Sequence, residues 1–386
     1  MKTTFPVLRS RTLRISLALL VPCVLGFGLF RVNLARRRAY VPLLNISVAP
    51  WKPAMAQHVD AIAWSPDGKS LAGVDVWNRW HIFDASTGKL KREWKGGLAD
   101  SLVWSRDAKT LAGSYSNTIE IRNAITGASL RRIKAVPDQN VLELYRSQHI
   151  DCFVSPDANL GAALQWQDSL SVWNLRTGKQ TLRLKPSPRP DKLHTEACGL
   201  AFSPDASQVA IARGLLDDEG IKPKKWSDVG AWRRRGFEVT VYDVRTKRGL
   251  RTFRWQSLVV DRRASIGLLF SPDGNTLAAS DGSSVQLWDV KNNAAARSIS
   301  ISNAARTVGQ QHLAFSPDSK LIARAGLTGE VEVWSVRSGQ LLHTFHVRSS
   351  VSDVEFSPDG KRLATSGGTN RQGGFIKIWD ASFLKP

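Results

Sequence analysis

The stretch VEFSPDGKRLATSGG, residues 354–368, contains a short phrase that recurs along most of the chain. Its core is an apolar or aromatic residue followed by Ser-Pro-Asp, and a near copy, LLFSPDGNTLAAS, occupies residues 268–280. Seven copies occur, one with Arg in place of Pro, and their serines are Ser65, Ser105, Ser155, Ser203, Ser271, Ser316 and Ser357. Because successive copies lie about 40 to 70 residues apart, the sequence indicates a repeat architecture with one unit per copy.

Each copy predicts a β-hairpin. Ser, Pro, Asp and Gly are the residues that a type I turn favours, and Gly also eases the exit from the turn. On either side the apolar residues alternate, as at Leu313 and Phe315 before one turn and Leu363 and Thr365 after another. A period of two residues is typical of a strand, so two strands flank every turn.

A second recurring phrase, rich in β-branched and aromatic residues, follows each hairpin and predicts a third strand. Its copies are residues 80–84, 119–123, 170–174, 239–243, 285–289, 331–335 and 376–380. Most copies turn through a Thr-Gly or Ser-Gly pair into a fourth strand, for example residues 340–345. Four strands in each of seven units predict an all-β, seven-bladed β-propeller.

The third strands at Trp288-Asp289 and Trp379-Asp380 end in the dipeptide that names the WD-repeat family. Over residues 41–386 the chain resembles the WD40-repeat β-propellers, and the sevenfold repetition makes this resemblance specific. No Gly-His pair precedes any hairpin, so the buried Asp-His-Ser-Trp network typical of that family is not expected. Periplasmic propellers similar to the Tol system component, which use a related Ser-Pro-Asp-Gly phrase, are neighbouring candidates.

The last repeat ends too early to supply its own fourth strand, since only residues 381–386 follow Trp379-Asp380. A missing outer strand would leave an exposed sheet edge, which natural proteins avoid. Residues 41–48, VPLLNISV, are apolar enough to fill that place. We therefore expect one propeller domain over residues 41–386, closed by strand 41–48 pairing with the last blade.

The first 40 residues differ from the rest in composition. The chain of 386 residues carries 54 Lys and Arg against 33 Asp and Glu, a net charge of +21, and residues 1–40 contain no acid. Residues 15–30, ISLALLVPCVLGFGLF, form an apolar run between basic flanks and predict an uncleaved transmembrane or signal-anchor helix. A cleaved signal peptide, which would give a secreted form, and a mitochondrial presequence are the alternatives.

This anchor predicts a single-pass membrane protein. The propeller would then be extracytoplasmic, and periplasmic in a bacterium, although basic residues on both flanks leave the orientation undecided. Cys23 lies within the apolar run, while Cys152 and Cys198 fall on inner strands of neighbouring blades, where we expect buried thiols.

Irregular spacing locates the longest loops. The largest insertion, residues 213–236, separates the second and third strands of blade four, and other additions precede the first strands of later blades. In a propeller both kinds of connection emerge on one face, and insertions in repeats usually mark the binding face. Within the largest insertion the candidate partner-binding residues are Lys222, Lys224, Lys225, Trp226, Trp232, Arg233, Arg234 and Arg235. Arg and Trp are favoured at protein interfaces, although a solvated loop is the competing interpretation.

No catalytic or metal-binding motif is evident. The seven histidines lack the spacing of metal ligands, and the triplet Gly68-Lys69-Ser70 belongs to a hairpin turn rather than to a phosphate loop. The acidic residues 217–219 are best explained as the apex of a solvated loop. We therefore predict no cofactor, no metal and no enzymatic activity.

The favoured hypothesis is a membrane-anchored scaffold whose loop-rich basic face binds an acidic protein or peptide. One basic loop is weak support for a nucleic-acid partner, and an anionic lipid surface is another candidate. An extracytoplasmic propeller enzyme or ligand sensor, with a pocket at the central channel, is the alternative of a different class. Carboxylates or histidines that converge on the channel would favour it. A purely structural module is the third hypothesis.

Overall fold

Seven four-stranded antiparallel sheets make up the described part of the chain, as the repeats predict. The computed structural model describes residues 41–48, 58–97, 99–115, 117–135, 150–165, 170–184, 194–217, 233–256, 266–301, 312–326, 328–347, 349–369 and 373–386. The first strands of consecutive blades contact one another in a closed cycle, because the last contacts the first. The seven-bladed propeller is thus confirmed, whereas the predicted N-terminal helix lies outside the described residues.

The strands follow one another in chain order, with four in each blade. The outer strand of blade seven is β1 Leu44–Val48. Blades one to three contain β2 Val59–Trp64, β3 Ser70–Asp75, β4 Arg79–Asp84, β5 Leu90–Lys95, β6 Ser101–Trp104, β7 Thr110–Tyr115, β8 Thr118–Asn123, β9 Ser129–Lys134, β10 Ile150–Val154, β11 Leu160–Gln165, β12 Leu170–Asn174 and β13 Gln180–Leu184.

Blades four to seven continue the same pattern. Their strands are β14 His194–Phe202, β15 Gln208–Asp217, β16 Arg233–Asp243, β17 Gly249–Trp255, β18 Gly267–Phe270, β19 Thr276–Ser280, β20 Ser284–Asp289, β21 Ala294–Ser300, β22 Leu313–Phe315, β23 Leu321–Ala325, β24 Glu330–Ser335, β25 Leu341–His346, β26 Val351–Phe356, β27 Arg362–Thr369 and β28 Gly373–Asp380.

The Ser-Pro-Asp phrase forms a turn stabilised by its own side chains. In the first copy the Ser65 hydroxyl donates to Asp67 Oδ1 at 2.6 Å and accepts from the Ser70 amide at 2.9 Å. Gly68 closes the turn with a positive φ of 67°. Copies without this glycine adopt the same left-handed backbone at Ala108, Ala158, Ala206 and Ser319. The turn therefore accepts alanine or serine at the position that glycine occupies in the other copies.

The ring closes through a strand from the beginning of the described chain. The antiparallel partner of β1 is β28, with Ile46 opposite Ile376. Ile46 is buried and packs in a cluster with Ile376, Ile378 and Trp64, at the boundary between blades seven and one. Residues 41–48, expected to be the missing outer strand of the last blade, thus supply strand β1.

The core lies between the blades and is built from the apolar faces of their sheets. Trp80 and Trp379 are among the largest fully buried side chains. Trp379 Nε1 donates to Thr365 Oγ1 at 3.0 Å inside blade seven. One Trp-to-hydroxyl contact of the kind found in WD repeats is therefore present, although the Gly-His pair is absent from the sequence.

Two faces of the ring follow from the antiparallel order of the strands. We call loop face the face that carries the connections from fourth to first strands and from second to third strands. We call turn face the face that carries the Ser-Pro-Asp turns and the turns between third and fourth strands. In blade four the insertion expected at residues 213–236 is partly strand, because β15 and β16 extend until Asp217 pairs with Arg233. Only residues 218–232 of that insertion remain outside the described chain.

In the part of the chain that the structure describes, no helix has the length and apolar character needed to cross a bilayer.

Candidate functional site: the central channel and the outer strands

A cavity of about 600 Å³ lies within the ring, where the first strands of the blades face one another. This volume is within the range usual for small-molecule sites. Its middle is lined by apolar residues of several inner strands, including Leu102, Cys152, Leu200, Leu268 and Leu313. Cys152 and Cys198 are both buried on this wall, on strands β10 and β14.

The turn-face end of the cavity is lined by a basic residue. Arg106 replaces proline in the second Ser-Pro-Asp phrase, and its guanidinium donates to the Pro204 carbonyl oxygen at 3.4 Å. This contact joins blade two to blade four, and Pro156 of blade three also lines the cavity. The one departure from the repeated phrase thus places a cation at this end.

The loop-face end carries an ion pair between histidine and carboxylate. His312 Nδ1 lies 3.1 Å from Asp353 Oδ1, and Asp353 Oδ2 accepts from the Ile62 amide at 3.0 Å. Burial by itself would lower the pKa of His312, but the Asp353 carboxylate, supported by Asp100 and Asp60, raises it above the ordinary value. The imidazolium is therefore the favoured form when Asp353 is ionised.

Three inner strands carry β-bulges towards this end, and two of these bulges lie at the boundary between blades seven and one. The register of β2 slips between Val59 and Ala61, which leaves Asp60 as the extra residue, and the register of β26 slips at Ser352. Bulges change side-chain direction and often lie beside functional sites. Here Ser352 Oγ lies 3.0 Å from His58 Nδ1, so the two bulges meet across the boundary between blades seven and one.

Asp60 is only partly exposed and is an unusual acid. Burial and the nearby Asp75 carboxylate raise its pKa, although His58 and His312 oppose that rise. Within the described residues, Asp60 forms no ion pair with a lysine or arginine. Raised acid pKa values in a cleft are a physical sign of a functional site.

Glu355 lies two residues further along β26 and also lines the cavity. Its Oε2 accepts from the Trp64 amide at 2.7 Å, and Trp64 Nε1 donates to the Glu355 carbonyl oxygen at 3.2 Å. Burial and the neighbouring Asp353 raise the pKa of Glu355 well above its ordinary value. Asp353 and Glu355 therefore satisfy amides on the inner edge of β2 while keeping carboxylates inside the channel.

Blade two adds two more polar groups to the same end. The Asp100 amide donates to the Ser114 carbonyl oxygen at 2.9 Å, and both residues line the cavity. Ser114 is only 1% exposed, and its hydroxyl has no hydrogen-bond partner among the described residues. We call Asp100, Ser114, His312 and Asp353 the channel mouth.

The outer strands carry charge of the opposite sign. Strands β5, β9, β13 and β17, the outer strands of blades one to four, contain a single acid, Glu93. Their basic residues are Lys91, Arg92, Lys95, Arg131, Arg132, Lys134, Arg183, Arg251 and Arg254. In the outer strands of blades five to seven, β21, β25 and β1, Arg297 is the single lysine or arginine. We call β5, β9, β13 and β17 the basic outer strands.

Acids on the adjacent third strands and turns offset part of this charge. Lys91 pairs with Asp84, Arg132 with the buried Glu120, and Arg254 with Glu238. Arg92, Lys95 and Arg183 are exposed. The sidewall of blades one to four is therefore basic even after these pairs are counted.

Most residues of the predicted binding loop lie outside the described part of the chain. These are Lys222, Lys224, Lys225, Trp226 and Trp232. Arg233, Arg234 and Arg235 open strand β16, where Arg233 pairs in register with Asp217 and Arg234 with Leu216. The proposed use of these residues stays a prediction.

The channel mouth was not assigned from the sequence. His58 and Ser352, or Asp60 and Asp353, are almost the whole ring apart in the chain, and only ring closure brings them together. Acids recur near the start of the first strand in five repeats, at Asp60, Asp100, Asp151, Glu196 and Asp353. An alignment of the repeats could have shown that signal.

Metal binding is not indicated by the geometry of these groups. Within the described residues, no set of three or more His, Cys, Asp or Glu side chains is arranged to hold a metal ion. Gly68 and Lys69 lie in the first Ser-Pro-Asp turn, where the Lys69 amide donates to Asp67 Oδ1 at 3.0 Å. The triplet Gly68-Lys69-Ser70 is therefore part of a hairpin.

Comparison with known proteins supports the interpretation of the repeats. Residues 261–289 and 339–380 match the family described as WD40, the WD domain or G-beta repeat. These two segments are similar to WD40 repeats and make up less than a fifth of the chain. Both matched segments end at the third strand of a blade, at Asp289 of β20 and at Asp380 of β28.

Curated relatives are similar to this chain over short stretches. Eukaryotic translation initiation factor 3 subunit I from Phaeosphaeria nodorum is 39% identical over 61 residues, which are 16% of this chain and 18% of that protein. Human apoptotic protease-activating factor 1 is 40% identical over 76 residues, 17% of this chain and 6% of that protein.

A third relative aligns over a longer stretch. Protein groucho from Drosophila melanogaster is 31% identical over 111 residues, 28% of this chain and 14% of that protein. The chain thus spans less than a fifth of the length of each of these three relatives. The similarity bears on the repeats and not on the whole activity of any relative.

Proposed function

We propose that this WD40-repeat propeller is a non-catalytic scaffold that binds an acidic protein partner along its basic outer strands. The contrast between blades one to four and blades five to seven carries this proposal. A uniform excess of positive charge would only keep the ring soluble, whereas a one-sided excess steers an acidic surface to one side.

The proposed surface continues into blade four. Its second-to-third connection contains Lys222, Lys224, Lys225, Trp226, Trp232, Arg233, Arg234 and Arg235. Basic residues give charge steering and tryptophans give desolvated anchors, which together suit a protein interface. We propose that this loop and the basic outer strand β17 of the same blade contact one partner.

A triple charge reversal tests the scaffold. The variant Arg92→Glu, Arg131→Glu, Arg183→Glu changes one residue on each of β5, β9 and β13, and Lys320→Glu, Arg337→Glu, Arg297→Glu is the matched control on blades five and six. Both are used to capture partners from native extract, and each captured protein is then purified and tested for direct binding. We expect an acidic protein that binds wild type and the control but not the first variant.

Three outcomes would count against the proposal. Equal capture by the two variants would show that the basic outer strands play no part. Binding of RNA or of anionic vesicles, abolished by the first variant while no acidic protein binds, would assign the same surface to another kind of partner.

We also propose that residues 15–30 hold the ring at a membrane, as their apolar run and basic flanks suggest. The test is alkaline extraction of membranes from cells that express the full chain or a form lacking residues 2–38. We expect the full chain to stay with the membrane pellet and the shortened form to be released. Release of both forms would contradict the anchor.

A ligand pocket in the channel is the second candidate function. Carboxylates and histidines converging on the channel are the feature that distinguishes it, and the channel mouth has them. The pocket and the scaffold are compatible, because they use different parts of the ring.

A further inference from the structure

Strand β5 forms the outer edge of blade one, where it pairs only with β4 within its sheet. The Gly96 amide donates to the Asn78 carbonyl oxygen at 2.7 Å just beyond the strand, which fixes the phase of this antiparallel ladder. Residues that exchange hydrogen bonds alternate with residues whose backbone groups point away from the partner strand. Glu93 and Lys95 therefore direct their amide and carbonyl groups outward from the edge.

The outward backbone groups of β5 have no other protein partner in the described part of the chain. Neither Glu93 nor Lys95 forms a backbone hydrogen bond outside the ladder among those residues. Unpaired backbone groups at a sheet edge are a template for a further strand. With six residues, β5 is long enough to pair with one.

Two cations on this edge are also unpaired. The side chains of Arg92 and Lys95 are exposed, and within the described residues neither forms an ion pair or a hydrogen bond. Lys91, by contrast, pairs with Asp84 at 3.0 Å. The charges of Arg92 and Lys95 are therefore available to a partner.

The cations of the other basic outer strands are mostly engaged. Arg131 of β9 donates to the Arg176 carbonyl oxygen at 3.1 Å, and Arg251 of β17 donates to the Lys291 carbonyl oxygen at 3.1 Å. Both arginines thus hold the turn of the next blade. On β13 the exposed Arg183 is the single basic residue. Strand β5 is therefore the best placed of the four to combine a free edge with two free charges.

The spacing of the two cations specifies the acids of a partner strand. Arg92 and Lys95 are three residues apart, so their side chains lie on opposite faces of the sheet. Residues directly opposite each other on neighbouring strands share a face and interact. A strand that pairs with β5 therefore matches both cations when it has two acids three positions apart. The partly buried Trp94 favours an apolar residue between them, and Glu93 disfavours a third acid.

A second copy of β5 does not meet this requirement. In an antiparallel pair of edges, outward-pointing residues lie opposite outward-pointing residues. Arg92 would then lie opposite Leu90, Trp94 or another Arg92, and never opposite an acid. Charged side chains at an edge usually prevent such self-pairing, whereas an acidic strand is attracted by the same charges.

We propose that β5 binds an extended acidic segment of a partner protein, which adds to blade one as a fifth strand. Acids of the segment lie opposite Arg92 and Lys95, and an apolar residue lies opposite Trp94. Main-chain hydrogen bonds supply affinity in strand addition, and the alternating side chains supply specificity. This site rests on the proposed function, because it specifies the conformation in which the acidic partner meets the basic outer strands.

Calorimetric titration of the full chain with synthetic peptides tests the site. The probe acetyl-Thr-Glu-Val-Thr-Glu-Val-amide has two glutamates three positions apart, and in antiparallel pairing its first valine lies opposite Trp94. The charge control has lysine in place of both glutamates. We expect the acidic peptide to bind at least about tenfold more tightly, because two attractive cross-strand pairs become repulsive in the control.

Two methylated peptides distinguish strand pairing from attraction to any acidic chain. N-methylation of the second and fourth residues of the acidic peptide removes the amides that face β5, and N-methylation of the third and fifth removes amides that face away. We expect the first peptide to bind about tenfold more weakly than its parent, because two hydrogen bonds are lost. The second should bind nearly as tightly as the parent.

A matched pair of variants places the binding on β5. Glu93→Pro removes an outward amide of the edge, whereas Glu93→Gln removes the same charge and keeps the amide. Proline is accepted on edge strands where its nitrogen faces solvent, and urea denaturation checks that both variants are folded. We expect Glu93→Pro to bind the acidic peptide about tenfold more weakly than Glu93→Gln, which should bind at least as tightly as wild type.

Several results would overturn the fifth strand. They are the absence of peptide binding, equal binding of the acidic and basic peptides, equal affinity of the two methylated peptides, and equal binding by Glu93→Pro and Glu93→Gln. If the triple charge reversal nevertheless loses the captured acidic protein, the proposed function stands and the contact is made by a folded surface. If the peptides behave as expected while the triple charge reversal loses no partner, the edge site stands and the broader surface does not.

Discussion

Glu120 and Glu355 are two partly or fully buried glutamates that each accept a hydrogen bond from a backbone amide of an adjacent blade in the ring. Glu120 Oε2 accepts from the Gly97 amide at 2.9 Å, and Glu355 accepts from that of Trp64. Glu120 also binds the guanidinium groups of Arg122 at 2.8 Å and Arg132 at 3.2 Å. Among the described residues Glu355 has no arginine or lysine partner, so one acid is compensated there and the other is not.

The pKa values of the two acids shift in opposite directions. Burial alone would raise the pKa of Glu120, but the Gly97 amide and the two arginines lower it below the ordinary 4.5. Burial and Asp353 raise the pKa of Glu355. The comparison teaches that Glu120, which joins blades one and two, is balanced by arginines, whereas Glu355, which joins blades seven and one, is held by a backbone amide.

The largest expected effect is on the compensated acid. Glu120→Gln would leave the buried Arg122 without its carboxylate, and breaking one side of a buried pair costs about 3–5 kcal/mol. We expect a loss of that size in the free energy of unfolding, measured by urea denaturation at neutral pH.

An exposed acid of the same sheet region is the control for this change. Glu93→Gln removes a carboxylate that is 38% exposed, and such surface pairs contribute about 0–1 kcal/mol. If Glu120→Gln lowers the free energy of unfolding no more than Glu93→Gln does, the two arginines do not give Glu120 a larger structural role than a surface acid has.

The boundary between blades seven and one, which the Glu355 hydrogen bond crosses, should depend on apolar packing instead. Ile46 of β1 is only 6% exposed and closes the ring against Ile376 and Ile378. Ile46→Ala removes buried methyl groups, which costs about 2–4 kcal/mol when the cavity does not collapse. Urea denaturation should show this loss at any pH between 5 and 8, whereas Leu43→Ala, at a site that is 60% exposed, should have little effect. Equal small losses would mean that β1 does not hold the ring closed.

The uncompensated acid should reduce stability at high pH. A carboxyl with a raised folded-state pKa binds more protons than in the unfolded chain, so stability falls as pH rises from about 4.5 through the raised value. Glu355→Gln keeps an acceptor for the Trp64 amide and abolishes this fall. We expect the variant to be at least as stable as wild type at pH 8 and no more stable at pH 4, by urea denaturation.

For Glu120 the change of stability with pH has the opposite sign. Its lowered pKa gives stability that is present above the ordinary value of 4.5 and is lost as pH falls through the lowered value. A Glu355→Gln variant that loses several kcal/mol at pH 8 would show that the two glutamates play the same structural part.

The smallest effect should come from the basic outer strands. Arg92 is exposed on β5, and such surface substitutions usually change the free energy of unfolding by less than about 0.5 kcal/mol. Arg92→Ala should therefore leave urea denaturation unchanged and act only on partner binding. A clear loss of stability would move Arg92 from the proposed interface to the structural residues.

Much of the fold could be predicted because its determinants are local. The Ser-Pro-Asp turns, the alternation around them and the third strands each occupy a few consecutive residues, and seven copies gave seven blades. Strand β1 could be expected as well, since residues 41–48 are apolar and the last repeat lacks a fourth strand. Blade four shows the limit, because spacing located its insertion but not the extension of β15 and β16 into it.

The channel mouth could not be predicted in the same way. Its groups come from three blades, and the bulge at Ser352, next to Asp353, depends on strand pairing rather than on residue type. Arg106 was visible only as a departure from the phrase, with no sign that it would reach Pro204. The basic residues of the outer strands are visible in the sequence. Only the structure shows which strands are outermost, and that assignment distinguishes their charge from the charge of the loops.

The most direct test is a carbon-13 NMR titration of the glutamate side-chain carboxyl groups, with Glu120→Gln and Glu355→Gln used to assign the two signals. We expect the Glu355 carboxyl to titrate above 4.5 and the Glu120 carboxyl below it. If both groups titrate together near the ordinary value, the distinction between compensated and uncompensated acids is wrong.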